Sequence, residues 1–174
     1  LAALGIWRER HGAIYLPFRQ ITPIVSATEA GEGNVLLVNA WHPLPEDYQP
    51  AALVNLYEQR HSFLLASSEI WLEKTAYEAA EAMFHQAEED GVNGFIITSG
   101  YRTRAEQEEI YAQTTDGTAA LPGTSEHETG LAFDVTAQRD NGGFEETPQF
   151  AWLIENCWDF GFILRYPEED EAIT

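Results

Sequence analysis

A length of 174 residues fits one domain with a sizeable core, and 44% hydrophobic with 12% aromatic content excludes a disordered chain. The formal net charge of −20, from 29 acidic and 9 basic residues, disfavours nucleic acid and anionic membrane surfaces as partners, and it suits solubility or cation binding. A single cysteine, Cys157, excludes an intrachain disulfide, and no stretch approaches the roughly 20 apolar residues of a membrane span, so no membrane insertion is expected.

Residues 1–34 contain Pro17, Pro23, Gly31 and Gly33 and read as an irregular arm, with a short strand near residues 21–25. The chain starts at Leu1, not Met, so a leader or anchor removed from the gene product is expected, with a place outside the cytoplasm or in the cell envelope. Residues 35–38 (VLLV) predict a short buried strand. Residues 41–50 (WHPLPEDYQP) hold three prolines and predict an ordered connector.

The clearest helix spans residues 73–90. Ala76, Tyr77, Ala80, Met83, Phe84 and Ala87 recur there at helical spacing, and Gly91 stops it. Residues 95–98 (FIIT) predict a strand that runs into SGYR, residues 99–102. Thr103 and Glu106 form a capping box for a short helix to about Gln113. A small polar loop follows at residues 114–124, then a strand at 131–135 and a loop at 136–147. Pro148 suits the first turn of a helix that ends before Gly161, and residues 162–165 (FILR) read as a last strand. Irregular alternation of these elements predicts an α+β fold, a small antiparallel sheet flanked by helices.

Chemistry concentrates in residues 125–135 (SEHETGLAFDV). A neutral imidazole at His127 and a carboxylate at Asp134 are both good zinc ligands, and Thr129-Gly130 permits a sharp turn between them. Strand alternation puts Leu131, Phe133 and Val135 on one face and Ala132 and Asp134 on the other, and a buried Asp needs a partner such as a cation. By spacing alone such a His and Asp are more often a surface loop than a metal site. Arg102 follows a strand end and a glycine, with Tyr101 and Gln107 close by. There a guanidinium can support an oxyanion, or simply pair with one of many carboxylates. Trp152, Leu153 and Cys157 read as helix core, and Trp41, Trp71 and Trp158 as packing residues.

Three stretches together carry a family likeness: SGYRTRAEQ at 99–107, PGTSEHETGLAFDV at 122–135 and WLIENCWDFGFILRYPEED at 152–170. They resemble the zinc D-alanyl-D-alanine carboxypeptidases of the vancomycin-resistance VanY type, within the group that includes lysostaphin-type enzymes and hedgehog domains. The segment LVNAWHPLPEDY, 37–48, also fits, so the resemblance covers roughly residues 35–174, one hedgehog/D,D-peptidase-like domain after the arm. It implies Zn2+ as cofactor, with His127 and Asp134 as the first two ligands. It implies that Arg102 holds the scissile carbonyl oxygen or the tetrahedral intermediate, while Tyr101, Gln107 and Ser125 line the substrate, with Ser125 near its terminal carboxylate. The implied partner is a peptidoglycan stem peptide ending in D-Ala-D-Ala or in a single D-Ala, cut by a zinc-activated water.

The family also uses a general-base Glu and a third ligand His in a Glu-Pro-Trp-His type segment. Residues 168–174 (EEDEAIT) lead toward it, so both residues are expected beyond Thr174. His11, His42, His61 and His85 have no spacing that recommends them as substitutes. The expected function is removal of a C-terminal D-Ala from stem peptides. The rivals are a non-catalytic muropeptide binder of the same fold, an L,D-carboxypeptidase, and a site completed by a partner chain.

Overall fold

The computed structural model describes residues 2–6, 36–115, 117–139 and 143–165. The strand expected near residues 21–25 lies outside these, as does His11. Among the described residues three helices, α1 (Lys74–Glu89), α2 (Arg104–Gln113) and α3 (Pro148–Asn156), accompany two sheets. Strands β3 (Leu64–Leu65), β5 (Phe95–Ser99), β6 (Ala132–Ala137), β1 (Ala2–Ile6) and β7 (Phe162–Arg165) lie side by side in that order. Strands β2 (Leu53–Asn55) and β4 (Trp71–Glu73) form a separate ribbon. All pairings are antiparallel except β3 with β5. The small, mostly antiparallel sheet with helices is the α+β arrangement that the element order predicts.

The sequence periods explain how the layers meet. Ala76, Ala80, Met83, Phe84 and Ala87 form the buried stripe of α1. Phe84 packs on Phe95 of β5 at a ring distance of 4.8 Å and on Phe133 of β6 at 6.0 Å, and Phe133 meets Phe162 of β7 edge-on at 5.2 Å. Each such phenylalanine, fully removed from water, contributes roughly 1.5–3 kcal/mol. Along β6, Phe133, Val135 and Ala137 point into this core, which leaves Asp134 on the opposite face, half-buried. Register shifts between Ile97 and Ser99 where β5 pairs with β6, and Ser99 ends opposite Asp134. Such irregularities re-aim side chains, and this one lies at the edge of the cleft described below.

Helix ends follow the sequence signals. Thr103 and Glu106 make the reciprocal capping box of α2. Pro148 starts α3 after Thr147, whose side chain accepts from the Phe150 N–H. The chain then tightens into a 3₁₀ turn, Cys157–Phe160, closed by Gly161 at φ +83°.

Three expectations change. Residues 36–38 form no strand: Val38 is buried, but the side-chain oxygen of Asn39 accepts from the Trp41 and His42 N–H groups and pulls the chain into a turn. The start of the stretch read as an irregular arm supplies β1, which pairs with both β6 and β7. Trp41, Trp158 and Trp71 are not core residues; Trp41 is 78% exposed. Trp152 and Leu153 are buried as expected, and the indole N–H of Trp152 donates to Asp90 at the end of α1.

Cys157 is fully buried, and burial pushes its thiol up to about 11 from an ordinary value of 9.0. The folded protein is therefore expected to resist iodoacetamide at pH 8 and to react at once when unfolded, as read by intact mass. The sign for stability follows. The unfolded thiol ionises first, so this group's contribution is intact below pH 9 and declines as pH rises toward 11.

Candidate active site

The site begins where β5 ends. Gly100 passes so close to β4 that a Cβ there would sit 2.4 Å from the Trp71 carbonyl oxygen, so only glycine fits. The next N–H, from Tyr101, donates to that same carbonyl at 2.7 Å and pins the segment. The carbonyl of Gly100 is thereby presented to the imidazole of His127, which lies 2.7 Å away through Nδ1. A carbonyl can only accept, so Nδ1 carries a proton and Nε2 is the ring atom left to meet a cation.

His127 stands in a 3₁₀ turn, Glu126–Thr129, that ends at Gly130 with φ +72°. The turn is fastened twice more. The Arg102 N–H donates to the His127 carbonyl at 3.1 Å, and the Glu73 N–H donates to the Gly130 carbonyl at 2.8 Å. Nε2 of His127 consequently faces Oδ1 of Asp134 at 3.5 Å. The glycine turn read from the sequence does bring the two donors together. The carbonyl that aims the ring comes from a different segment.

Arg102 completes the group. Its Nη2 lies 3.4 Å from Oδ2 of Asp134 and donates to Ser99 Oγ at 3.1 Å, while Nη1 donates to Gln107 Oε1 at 3.3 Å. Gln107 is only 1% exposed, and its amide nitrogen donates to the Ala120 carbonyl at 2.8 Å. Burial alone raises the Asp134 carboxyl, but its contacts with His127, Arg102 and Ser99 outweigh that and hold it below the ordinary carboxylate range. His127, Asp134, Arg102, Gln107 and Ser125 all line one cleft of about 200 Å³, with Ala120 on its wall. Tyr101 instead borders a neighbouring hollow of about 270 Å³ that shares Arg102 and is flanked by Glu106 and Glu109.

The donor set can be tested against a zinc ion. Metal–donor bonds of roughly 2.0–2.2 Å at a tetrahedral angle place two ligand atoms about 3.4 Å apart. The 3.5 Å between Nε2 and Oδ1 fits that spacing. A carbonyl on the far ring nitrogen is the usual support of a metal-bound histidine. Both donors therefore suit zinc. Among the described residues no third His, Cys, Asp or Glu joins them. The other described histidines are engaged elsewhere: His42 with Asn39 at 3.1 Å, His61 with the Phe63 carbonyl at 2.7 Å, and His85 beside Glu88 and Glu89 on the surface of α1.

Comparison with known proteins decides the family. Residues 69–174 match VanY, D-alanyl-D-alanine carboxypeptidase. The chain belongs to the VanY family. It is 34% identical over 153 residues to a D-alanyl-D-alanine carboxypeptidase of Enterococcus faecium, covering 86% of this chain and 50% of that protein. Among solved structures it is similar to the LD-carboxypeptidase LdcB, with TM-score 0.68, 32% identity, and coverage of 79% of this chain and 69% of that one. It is also similar to a mutant of the vancomycin resistance D,D-pentapeptidase VanY in complex with Zn(II), with TM-score 0.58, 31% identity and 79% of each chain covered. The chain spans about half to three-fifths of the length of the first curated relatives it matches. Every residue of the cleft named above lies inside the VanY match, and the VanY likeness carries the hedgehog-like fold expected from the sequence.

Two contributors were not singled out by sequence reasoning. Ser99 and the Gly100 carbonyl act through Arg102 and His127, and the only sequence signal for them is the SGYR run at a strand end. The pairing of Arg104 with Glu128 had none.

Proposed function

We propose that this chain is a zinc-dependent carboxypeptidase domain of the cell envelope that removes a terminal D-Ala from peptidoglycan stem peptides. One observation carries the reading: His127 Nε2 and Asp134 Oδ1 converge at the spacing of two zinc ligands, with the Arg102 guanidinium beside them. Membership of the VanY family supports the substrate class, and a relative solved with Zn(II) supports the metal.

In this reading His127 and Asp134 hold the zinc, and the remaining ligand and the general base come from outside the described residues. Zinc, when bound, supplies a Lewis acid that lowers the pKa of a water and polarises a carbonyl. The chain's own residues do the rest. The Gly100 carbonyl keeps the proton on Nδ1, so Nε2 stays free to ligate. Ser99 and Gln107 hold the two arms of the Arg102 guanidinium, so it is aimed before substrate arrives. Arg102 then donates to the scissile carbonyl oxygen as negative charge develops there. Gln107 also ties α2 to the Ala120 carbonyl on the cleft wall. Ser125 lies along the substrate near its terminal carboxylate, and Tyr101 flanks the approach.

The likeness to LdcB supports a second reading in which the bond cut is the L,D linkage of a stem ending in a single D-Ala. The experiment is to incubate the zinc-loaded full-length protein with a pentapeptide ending in D-Ala-D-Ala and with a tetrapeptide ending in one D-Ala, and to assay free D-Ala. Release from the first supports D,D-cleavage, and release only from the second supports L,D-cleavage. Binding of both without release supports a muropeptide-binding domain and overturns the hydrolase. Arg102→Ala is expected to lower kcat on the preferred peptide about 10²-fold or more, with a smaller change in KM, because its contact strengthens in the transition state.

A further inference from the structure

Behind the zinc-ligand turn lies a second ion pair, between a half-buried Arg104 and a buried Glu128, that none of the chemistry above uses. Glu128, the residue after His127, is 4% exposed. One of its oxygens accepts from the Arg104 Nε–H at 2.5 Å, and the other accepts from the Gly123 N–H at 2.7 Å. Arg104 is the first residue of α2, and its Nη2 donates to the Pro45 carbonyl at 3.4 Å. The Leu44 N–H donates in turn to the Gly123 carbonyl at 2.7 Å.

Gly123 has φ +87°, and a Cβ placed there would lie 3.1–3.2 Å from Nη2, Cζ and Nη1 of Arg104 alike. Three nearly equal distances mean that the flat face of the guanidinium covers this glycine. Four segments are thus closed around one carboxylate: the proline connector, the loop before Ser125, the first turn of α2 and the His127 turn.

Those segments hold the groups that must agree in position. Arg102 lies two residues before Arg104, and His127 lies one before Glu128. Among the described residues they are linked by one backbone bond, Arg102 N–H to His127 carbonyl, through the Gly100 carbonyl, and through Asp134. The Arg104–Glu128 pair supplies the other brace, with charge-assisted geometry on both sides.

We infer that Arg104 and Glu128 are a positioning pair, which sets His127 Nε2 against Asp134 and Arg102 without touching substrate or metal; the inference rests on the zinc-peptidase reading above. Groups that orient a metal ligand from behind change metal affinity or activity by about 10–100-fold when lost.

The test separates positioning from bulk stability. In R104M/E128M the buried carboxylate and its half-buried guanidinium partner leave together, so no lone charge remains and the fold is expected to survive, with Tm within about 5 °C of wild type. Zinc affinity of the full-length protein, by competition with a chromophoric chelator, is expected to fall about 10–100-fold. Turnover is expected to fall by a similar factor with KM little changed. R104K, which keeps the charge and loses the flat fork, guards against a double variant that does not fold; it is expected to lose several-fold in both. A third readout needs no metal. The Nδ1 proton of His127, bonded to Gly100, is expected as a slowly exchanging downfield imidazole signal in the metal-free wild type and to be lost or exchange-broadened in R104M/E128M. Folded variants with wild-type zinc affinity, turnover and imidazole signal would overturn the inference. If the wild type itself binds no zinc and releases no D-Ala, the zinc-peptidase reading fails, and the imidazole signal still decides whether the pair positions His127.

Discussion

Asp134→Ala is expected to abolish stoichiometric zinc binding and to lower turnover on the order of 10³-fold or more, while the protein stays folded. The physics separates the two effects. A catalytic zinc is held by three protein ligands, and loss of one leaves a site that competes poorly with water. A rate loss of that size corresponds to about 4 kcal/mol in the barrier, a plausible share for a metal that both activates water and polarises the carbonyl. Stability changes far less. Asp134 is on the cleft face of β6, not among Phe133, Val135 and Ala137, so no core volume is lost. Arg102 keeps its bonds to Ser99 and Gln107. Asp134→Asn is the sharper control, because it keeps the shape and removes the charge. Metal content by mass spectrometry, D-Ala release and thermal melting of both variants check the prediction. A variant that loses its fold together with its metal would point instead to Asp134 as a structural residue.

Gly100→Ala is expected to cost about 3 kcal/mol or more, a melting point lower by roughly 10 °C in a chain of this size. The new Cβ would lie 2.4 Å from the Trp71 carbonyl oxygen and 3.0 Å from the Ile70 side chain. The first contact is with backbone, which cannot rotate away as a side chain can. Relief requires β5 and β4 to part at Gly100, which breaks the Tyr101 N–H bond to Trp71. The same shift moves the Gly100 carbonyl from His127 Nδ1, so zinc affinity is expected to fall along with stability. Thermal melting and chelator competition on one preparation measure both. Unchanged zinc affinity in a destabilised protein would show that the carbonyl does not aim the ring.

These two expectations also show what could be read from the chain. Alternation in LAFDV correctly put Phe133 and Val135 in the core and Asp134 opposite them, because a strand has a period of two whatever it packs against. Helix α1 was legible from its apolar stripe, α2 from the reciprocal cap at Thr103 and Glu106, and α3 from Pro148. Those signals are local and act within a few residues. Strands β2, β3 and β4 are two or three residues long and carry no period. They exist because partners distant in sequence supply the hydrogen bonds, as does β1 between β6 and β7.

The site divides along the same line. Gly130 announced the turn between His127 and Asp134. Nothing in the spacing announced that a carbonyl 27 residues before His127 would orient its ring, or that Arg102 would reach Asp134 across 32 residues. Only the family resemblance placed Arg102 and Gln107 in the same cleft. Trp41 and Trp158 depart from the packing expectation for another reason. Aromatic residues usually bury themselves, but composition cannot say which ones the turns leave outside.

Zinc-edge X-ray absorption of the full-length protein, compared with that of its His127→Ala variant, tests the account most directly. A zinc shell of nitrogen and oxygen donors at roughly 2.0–2.1 Å is expected in the native protein, with loss of imidazole scattering, or of the zinc itself, in the variant. A shell that is identical with and without the His127 ring would contradict it.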